Sequence, residues 1–579
     1  MPSLELLRTA GVLSAADLHL GRWLLRGGAG PQAALAGALA SRAVREGHVC
    51  VDLGATTGPV VDAEGRPLPD VVWPDWADVP SDPTVAREGE GDPTAFPLVA
   101  RGSWLYLARY HDHEEALAAR LLELARPAPV DEVSLEQGLA DLFDGSPESA
   151  GQQAACRTAV ERRLAVVSGG PGTGKTHTVI RLVALLAQQR RRRGLSCRVR
   201  LLAPTGKAAA RMLEALQEQA PGLPEAYRAE LPEQASTIQR ALGSIGGART
   251  RFRHGRSLPL PDDVVVVDEA SMVDLALMRR LVEAVRPDAH LVLLGDRNQL
   301  ASVESGAVLG EVVGAAQQPG SPIADSVALL THSFRFDGAI GALAEAVRTG
   351  DVGAARAVLR AGGPITWLDR PASRALQGPV GDTVAAGFRG LLRADTPAKA
   401  LDALGQFRVL CAHRRGPWGV EALNHTIEQR LAPLGLAPSS AWYARRPVMV
   451  TANDYRQQLF NGDQGVAMPG PTGLRVTMAG EGARSLSPSR LADVETVFAL
   501  SIHKSQGSEY EHVMVVLPEA SSPLLSRELL YTAITRARSR LTIVGGEEEL
   551  AAAIRRPLSR TSGLAQRLSG VHPGTAPAE

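Results

Sequence analysis

The sequence predicts an α/β protein with two tandem domains of the P-loop type, each built on a parallel β-sheet. Three observations indicate this fold class. A buried strand, a glycine-rich turn and an amphipathic helix follow one another across residues 164–186. A second strand, Val264 to Val267, ends in two carboxylates. Further apolar strands then alternate with helical segments as far as Val544, an order typical of doubly wound parallel sheets.

The glycine-rich turn fits the pattern G-x-x-x-x-G-K-[ST] from Gly169 to Thr176. Free backbone N–H groups and the positive end of a helix dipole converge at such a turn, so it binds phosphate. We expect Lys175 to reach the β- and γ-phosphates of ATP and the Thr176 hydroxyl to ligate Mg²⁺. The complete spacing with both flanks disfavours a chance glycine turn. The other predicted cradle residues are Gly169, Gly170, Pro171, Gly172, Thr173 and Gly174.

The bulk composition is that of an ordinary globular protein. The chain has 579 residues, is 45% hydrophobic and 21% charged, and has a formal net charge of zero, so a polyanion would have to be met by local basic patches. Its cysteines are far apart with no C-x-x-C pair, and the N-terminus has no signal-peptide core. No apolar run approaches the roughly 18 residues of a membrane span. We therefore expect a cytoplasmic protein with no membrane partner.

Lysine is rare in this chain. Among 62 basic residues the lysines are Lys175, Lys207, Lys399 and Lys504. A lysine retained in an arginine-rich chain can mark a position where a compact ammonium is needed. All of them except Lys399 lie in motifs, although coincidence is the alternative explanation.

Composition and motif order divide the chain into segments. The predicted bounds are 1–128 for a small α+β N-terminal domain, 129–336 for the first α/β domain with a protruding loop at about 246–261, 337–440 and 493–560 for the two parts of the second α/β domain, 441–492 for a small β-barrel inserted in it, and 561–579 for a tail. The N-terminal domain has no catalytic motif, which favours a docking or structural role. Within it, two short strands around Arg101-Gly102 predict a hairpin, and the acidic, proline-rich residues 74–93 predict a mobile loop.

A glutamine precedes the glycine turn at a spacing suited to reading the adenine edge. Gln152 and Gln153 both fit, and a solvated glutamine at a helix cap is the alternative. Farther along, Thr205 and Lys207 follow a strand, at the sheet edge where parallel sheets bind ligands. These two residues, and Thr237 after them, are expected to hold a nucleic-acid phosphate.

Two carboxylates and a glutamine complete the predicted catalytic set of the first domain. Asp268 is expected to hold the Mg²⁺ shell, and Glu269 to accept a proton from the attacking water. An acidic pair that merely caps the next helix is the alternative. Gln299 follows another buried strand and can sense the γ-phosphate. Arg335, after an apolar run, is either a surface charge or a γ-phosphate ligand supplied across a cleft.

These blocks resemble superfamily-one DNA helicases of the RecD branch, over about residues 130–550. The matching segments begin at Gly169, Ala203, Asp268, Gly295, Ser333, His503 and Tyr531. The resemblance implies two RecA-like lobes, an SH3-like barrel inserted from Arg446 onward, and movement 5′→3′ on single-stranded DNA. It makes Arg536 the second arginine that contacts the γ-phosphate, and it makes Phe334 an exception where relatives often have tyrosine.

The resemblance also implies further contacts with the ligands. Glu509 is expected beside the nucleotide. The expected DNA contacts are Thr205, Lys207, Thr237, Asn424, His503, Lys504, Ser505, Gln506 and Thr532. Phosphate contacts dominate such binding, so we expect no sequence preference and a strong salt dependence.

The predicted function is an ATP-dependent 5′→3′ DNA helicase that is the alpha subunit of a helicase–nuclease, with RecB-like and RecC-like partner subunits. A self-sufficient helicase of the same branch is one alternative, although the long N-terminal region typical of those relatives is not recognisable. A non-motor subunit with a structural P-loop is a second alternative. A nuclease in this chain is a third, and no compact acidic cluster with a lysine partner supports it outside the ATPase motifs.

Overall fold

The computed structural model describes residues 1–62, 65–89, 95–228, 231–245, 251–334, 338–371, 376–438, 440–454, 456–471, 473–480 and 484–570. These residues form an N-terminal α+β unit, two parallel α/β lobes and an antiparallel insert in the second lobe. The predicted mixed α/β class with parallel sheets is confirmed. Across the described ranges, no helix has both the length and the apolarity to cross a lipid bilayer.

The N-terminal unit packs helices against a sheet and a two-stranded ribbon. Its elements are α1 (Leu4–Thr9), α2 (Ala15–Arg26), α3 (Pro31–Arg45), β1 (Cys50–Asp52), β2 (Pro59–Val61), β3 (Pro67–Val72), β4 (Val85–Arg87), β5 (Leu98–Arg101), β6 (Trp104–Leu107) and α4 (Ala108–Leu124). The predicted hairpin is confirmed, because β5 and β6 pair antiparallel. The stretch expected to be a mobile loop instead contains β4, which pairs with β5 because Val85 and Ala86 are buried. Residues 90–93 of that stretch lie outside the described residues.

The first lobe has a sheet in which every strand pair is parallel. Its elements are α5 (Glu132–Leu142), α6 (Ala150–Glu161), β7 (Leu164–Gly169), α7 (Lys175–Arg192), β8 (Val199–Ala203), α8 (Gly206–Gln219), α9 (Glu225–Arg228), β9 (Ala235–Thr237), α10 (Ile238–Leu242), β10 (Val264–Val267), α11 (Leu275–Ala284), β11 (His290–Gly295), α12 (Val308–Ala316) and β12 (Val327–Leu330). The strand order is β12-β7-β11-β10-β8-β9. The carboxyl ends of β7, β10 and β11 therefore meet at one edge, because parallel strands share a direction.

The second lobe repeats this design and carries the insert. Its elements are α13 (Ala339–Thr349), α14 (Val352–Ala361), β13 (Ile365–Leu368), α15 (Gly378–Gly387), α16 (Arg389–Arg393), α17 (Pro397–Gln406), β14 (Phe407–Cys411), α18 (Val420–Leu431), β15 (Pro447–Val450), β16 (Gln464–Gly470), β17 (Gly473–Met478), β18 (Ser485–Leu486), β19 (Val494–Thr496), β20 (Ala499–Ser501), β21 (Tyr510–Val516), α19 (Arg527–Ile534), β22 (Ala537–Val544) and α20 (Glu547–Arg555). The parallel sheet is ordered β13-β22-β21-β14-β20. The insert is an antiparallel sheet ordered β18-β17-β16-β15-β19, and Val448, Val476 and Met478 contribute to its own apolar core.

Residues 561–570 are not a free tail, contrary to the sequence expectation. They contain α21 (Leu564–Ser569), which packs on α4 and α12. Leu564 and Leu568 are fully buried there, and this pair of leucines accounts for the docking. The Pro/Gly/Ala-rich composition that suggested a tail belongs to residues 571–579, which lie outside the described residues.

A buried polar cluster joins α21 to the rest of the molecule. Glu114 on α4 accepts hydrogen bonds from the Gly563 N–H and from Arg567 Nε, both at 2.9 Å. The Ser562 hydroxyl lies 2.8 Å from a Glu114 oxygen and 2.6 Å from a Glu311 oxygen. One hydroxyl proton cannot serve both carboxylates, so a second proton is required. Loss of hydration raises the pKa of Glu311 to about 7, which makes Glu311 the carboxyl that carries this proton.

Asn424 has a structural role that contradicts its expected contact with DNA. It lies within α18 and is 6% exposed. Its Nδ2 donates to the Ala499 carbonyl at 3.1 Å, and its Oδ1 accepts from the Ala499 N–H at 2.9 Å. The amide thus pairs with the backbone of β20, an edge strand of the second-lobe sheet, so both of its ends are already used.

We expect Asn424→Ala to lower the free energy of unfolding by about 1–3 kcal/mol, since it leaves the buried Ala499 N–H and carbonyl without these partners. Urea denaturation measures this change, and the folded variant should keep its affinity for single-stranded DNA. His425→Ala is the matched control, because His425 is exposed on the same helix. Loss of DNA affinity at unchanged stability would restore the DNA-contact hypothesis.

We expect Glu311→Gln to change how stability depends on pH. The ordinary pKa of a glutamate is 4.5, and that of Glu311 in the folded protein is about 7. Between these two pH values the folded protein keeps a proton on Glu311 that the unfolded chain releases. The stability that this proton provides is full below pH 4.5 and is lost as the pH rises to about 7. The amide mimics the protonated carboxyl, so the variant should gain stability over wild type across that window in paired denaturation curves. Glu218→Gln serves as the control, because Glu218 is on the exposed side of α8. If the difference in stability between Glu311→Gln and wild type did not change with pH, the assignment would be wrong.

Candidate active site

The glycine-rich turn connects β7 to α7 at the edge where the strands of the first lobe end. Gly172 and Gly174 have φ angles of 79° and 78°, a left-handed conformation that favours glycine. Lys175 begins α7, and its Nζ donates to the carbonyls of Gly169 at 2.7 Å and Gly170 at 3.0 Å. The ammonium therefore folds back over the turn, at the mouth of the predicted phosphate cradle.

The two candidate glutamines face different neighbours. Gln152 is 4% exposed, its Nε2 donates to the Thr173 carbonyl at 3.2 Å, and its Oε1 lies 3.1 Å from His177 Nδ1. Gln153 donates to the Ser149 hydroxyl at 2.9 Å, at the start of its own helix. Gln152 is therefore the glutamine beside the glycine turn, whereas Gln153 lies inside α6 and bonds to the N-cap residue Ser149. The adenine contact itself stays a prediction.

Asp268 and Glu269 follow β10 and approach the same cradle. Loss of hydration and the neighbouring Glu269 raise the pKa of Asp268 to about 6, while Lys175 acts in the opposite direction. The carboxyl ends of β7 and β10 lie at the same edge of the sheet, which brings the glycine turn and the acidic pair to one side of the lobe. Glu269 has a φ of 52°, a left-handed conformation that is strained for a residue with a side chain, and its N–H donates to Asp268 Oδ1 at 2.8 Å.

The donor set suits a magnesium ion that is held only partly by protein. Thr176 and Asp268 are oxygen donors at the end of one sheet, and hard cations such as Mg²⁺ prefer oxygen. Over the described residues, no group of three or more His, Cys, Asp or Glu side chains could form a complete metal site. An ion here would therefore rely on phosphate oxygens and water for its remaining ligands, as is usual for Mg²⁺ with a nucleotide.

A tyrosine of the second lobe reaches the glycine turn. The Tyr531 hydroxyl, on α19, donates to Asp296 Oδ2 at 3.1 Å. A Cβ added to Gly170 would lie 3.0 Å from that hydroxyl. Gln299 donates to Asp296 Oδ2 at 3.3 Å, and its buried Oε1 has no hydrogen-bond partner among the described residues. The glycine turn, the predicted γ-phosphate sensor and the second lobe thus meet in one crevice. The sequence argument overlooked Tyr531, although it is the first residue of the segment that supplies Thr532 and Arg536.

Leu300 is held by two residues that were expected to contact DNA. Its N–H donates to the Thr532 hydroxyl at 2.8 Å, and its carbonyl accepts from Gln506 Nε2 at 2.8 Å. Thr532 is fully buried, and Gln506 is 8% exposed. Ser505 is also fully buried and donates to the Ile502 carbonyl at 2.7 Å. The structure contradicts all three DNA contacts, because these side chains are used inside the second lobe or between the lobes.

The two predicted arginines of the γ-phosphate site differ in what the structure records. Arg536 is 3% exposed, and its guanidinium donates to the carbonyls of Thr532 at 3.1 Å and Ser508 at 3.2 Å. These bonds stay within the second lobe. Arg536 also acts electrostatically on Tyr531, the residue that reaches the glycine turn. Arg335 lies outside the described residues. Phe334 precedes it and donates its N–H to the Gly172 carbonyl at 2.9 Å, so the chain passes the cradle at this point.

Glu509 joins the lobes, and its expected place beside the nucleotide stays a prediction. It pairs with Arg211 of α8 at 3.0 Å and with Arg538 of β22 at 3.2 Å. Arg211 also donates to the Gly507 carbonyl at 2.9 Å. A carboxylate with two arginine partners, one from each lobe, acts as a bridge across the crevice.

The remaining DNA candidates lie at the carboxyl ends of strands. Thr205 and Thr237 cap α8 and α10 through their hydroxyls, at 3.2 Å and 3.3 Å from the N–H groups that they accept. Lys207 is exposed in the first turn of α8. Cap hydroxyls and helix N-termini of this kind can hold phosphate, so these three contacts stay predictions.

His503 and Lys504 stand on the second lobe. Burial, with Arg560 nearby, lowers the pKa of His503, so its imidazole is neutral at pH 7 and would meet phosphate as a hydrogen-bond donor. Lys504 forms an ion pair with Glu495 of β19 at 2.7 Å. DNA would have to compete with this carboxylate for the ammonium.

Family models match three separate parts of the chain. Residues 9–106 match the N-terminal domain of the RecBCD enzyme subunit RecD, residues 152–305 match an AAA domain, and residues 496–544 match a UvrD-like helicase C-terminal domain. The first match lies in the N-terminal domain, for which the sequence alone favoured a docking or structural role. The second includes the glycine turn, and the third includes the segment of Tyr531.

Curated relatives match over nearly the whole chain. The RecBCD enzyme subunit RecD of Mycolicibacterium smegmatis is 44% identical over 567 residues, which cover 96% of this chain and 98% of that protein. The RecBCD enzyme subunit RecD of Haemophilus influenzae is 33% identical, over 73% of this chain and 72% of that protein. The ATP-dependent RecD2 DNA helicase of Deinococcus radiodurans is 31% identical, over 84% of this chain and 62% of that protein. The chain therefore belongs to the family of the RecBCD enzyme subunit RecD, and it is a DNA helicase that uses ATP.

Proposed function

We propose that this chain is a 5′→3′ motor on single-stranded DNA, driven by ATP that binds between two RecA-like lobes. The contact of Tyr531 with Asp296 and with the space above Gly170 carries this proposal, because it joins the second lobe to the nucleotide cradle of the first. The antiparallel insert would be the SH3-like domain of the RecD branch.

Residues of the first lobe would hold and activate the triphosphate. Lys175 would exchange the Gly169 and Gly170 carbonyls for the β- and γ-phosphates, since a phosphate is the better acceptor for an ammonium. Bound Mg²⁺, held through Thr176 and Asp268, would neutralise charge on the phosphates. Glu269 would orient the attacking water and accept its proton. Gln152 would read the adenine edge from its position beside the turn.

Closure of the crevice would depend on the γ-phosphate. Gln299 has an unused buried oxygen at this place, and Arg536 bonds to the carbonyl of Thr532, the residue that holds Leu300 of the first lobe, so both are suited to sense the terminal phosphate. We assign Arg335 the same task on the basis of its sequence position. Hydrolysis removes the charge that these groups share, so the lobes would separate, and the cycle of closing and opening would move the chain along DNA.

The DNA track would run over the strand ends of both lobes. Thr205, Lys207 and Thr237 of the first lobe remain our candidates for phosphate contacts, with His503 and Lys504 of the second. Such contacts carry no base information, so binding would be independent of sequence and sensitive to salt.

We further propose that the chain works as a subunit with RecB-like and RecC-like partners. The chain is 44% identical to a RecD subunit over 96% of its length but 31% identical to the RecD2 helicase over 84% of its length. This difference favours the subunit over the self-sufficient helicase. The N-terminal unit would provide the docking surface, and nuclease activity would belong to a partner, because the sequence has no compact acidic cluster with a lysine partner outside the ATPase motifs.

Lys175→Gln is expected to lower DNA-stimulated ATP hydrolysis by at least about a hundredfold, because it removes the ammonium that stabilises charge on the phosphates. Steady-state ATPase assays with single-stranded DNA measure the change. Lys399→Gln is the matched control, since Lys399 is an exposed lysine that pairs only with Asp395 in its own helix turn. Near-normal turnover of Lys175→Gln would refute the nucleotide site.

Unwinding is expected to need a free 5′ single-stranded tail. Duplexes with a 5′ tail, a 3′ tail or a blocked 5′ tail distinguish the direction of movement in a strand-displacement assay. The assay uses the chain with partner subunits whose own ATP sites have been inactivated. Only the unblocked 5′ tail should then support unwinding. Equal unwinding from 3′ tails would refute the proposed polarity.

A further inference from the structure

One arginine connects the N-terminal unit and both lobes. We call residues 556–570 the C-terminal strap; it leaves the second lobe after α20 and ends with α21. Arg560 in this strap donates to the carbonyls of Gly47 at 2.7 Å, Glu304 at 2.8 Å and Ser302 at 2.8 Å. Gly47 belongs to the N-terminal unit, and Ser302 and Glu304 to the first lobe. A planar guanidinium suits this task, because its donors point in fixed directions toward separate acceptors.

The N-terminal side of this junction is built to accept the guanidinium. Gly47 has a φ of 95°, and a Cβ at this position would lie 2.2 Å from Arg560 Nη1. The neighbouring backbone is tied to the strap as well, since the Val49 N–H donates to the Thr561 carbonyl at 2.8 Å and the Thr561 N–H donates to His48 Nδ1 at 2.9 Å. The strap and the segment after α3 therefore behave as one piece.

The first-lobe side of the junction continues directly from the nucleotide crevice. Gln299, next to Asp296, is followed by Leu300, which the second lobe holds through Thr532 and Gln506. Two residues later, Ser302 presents its carbonyl to Arg560. The same loop contacts the N-terminal unit again through the Gly306 N–H, which donates to the Gly47 carbonyl at 3.0 Å. A movement of Gln299 thus has a short, continuous route to Gly47.

We propose that Arg560 is a positioning residue for the helicase reaction, which holds the loop behind Gln299 and passes changes at the γ-phosphate to the N-terminal unit. This proposal rests on the proposed function, in which Gln299 senses that phosphate. The loop from Asp296 to Gly306 is the coupling element, because the nucleotide crevice contacts its start and the N-terminal unit contacts its end. Because the N-terminal unit is our candidate for docking partners, the same junction would report the nucleotide state to a partner subunit.

A kinetic comparison tests the positioning role. We expect Arg560→Ala to lower the kcat of DNA-stimulated ATP hydrolysis by about two- to thirtyfold, with KM for ATP within about twofold of wild type. Arg560→Lys should recover part of kcat, since an ammonium can reach one or two of the carbonyls but not all of them. Arg555→Ala is the matched control, because Arg555 is exposed at the end of α20. Wild-type kcat in the Ala variant would overturn the proposal.

Hydrogen exchange of the full-length chain tests the coupling itself. Adding ADP with aluminium fluoride should change amide exchange in the glycine turn and also in residues 44–53 of the wild type. In Arg560→Ala the glycine turn should still respond, whereas the response of residues 44–53 should become weaker, because only the bond from the Gly306 N–H to the Gly47 carbonyl then links the loop to Gly47. An unchanged response of residues 44–53 in the variant would overturn the route through Arg560.

The outcomes separate this proposal from the proposed function. If the wild type shows no DNA-stimulated ATPase, the motor assignment fails and the inference fails with it. If the wild type is active and both Arg560 variants match it, only the inference fails. Should Arg560→Ala not fold, Arg560→Lys decides: at wild-type thermal stability a lowered kcat supports positioning, and a wild-type kcat refutes it.

Discussion

The contact between Tyr531 and Asp296 is the interaction on which the rest of this structure depends. It brings α19 of the second lobe against the strand ends of the first, beside Gly170. Burial and the neighbouring Asp296 raise the pKa of Tyr531 well above its ordinary value, so the phenol stays a hydrogen-bond donor at physiological pH. A neutral donor against a carboxylate is a contact that can break without leaving two charges unpaired, which suits a crevice that must open repeatedly.

The lobes also share contacts of another kind, farther from the glycine turn. Glu509 bridges Arg211 and Arg538, and Leu300 is held through its backbone by Thr532 and Gln506. Backbone acceptors and donors fix the position of a loop more closely than a flexible ion pair does, because only one set of positions satisfies both bonds. The crevice therefore combines two kinds of contact. The ion pairs of Glu509 tolerate movement between the lobes, whereas the two backbone bonds of Leu300 respond to it.

The sequence predicted the parts whose physics is local. A glycine turn between a strand and a helix can be recognised from neighbouring residues alone, and so can Val264–Val267 as a buried parallel strand, which the structure confirms. The failures concern residues whose role depends on a distant partner. The sequence alone makes Asn424 a plausible DNA contact, but in the fold its amide is bound to the backbone of Ala499. Thr532 is plausible in the same way, but its hydroxyl is bound to the Leu300 N–H. Residues 561–570 have no strong periodicity, and only their packing on α4 and α12 explains their helix.

These failures have a common cause, which bears on how such a motor is built. Polar residues in the motifs of the second lobe were expected to face DNA, yet the structure uses Thr532 and Gln506 to hold Leu300 of the first lobe. A side chain that bridges two lobes changes its environment whenever the crevice opens, whereas a side chain that only grips DNA does not need to. Motifs that couple nucleotide to movement must therefore contain bridging residues as well as ligand contacts, and sequence spacing alone cannot separate the two kinds.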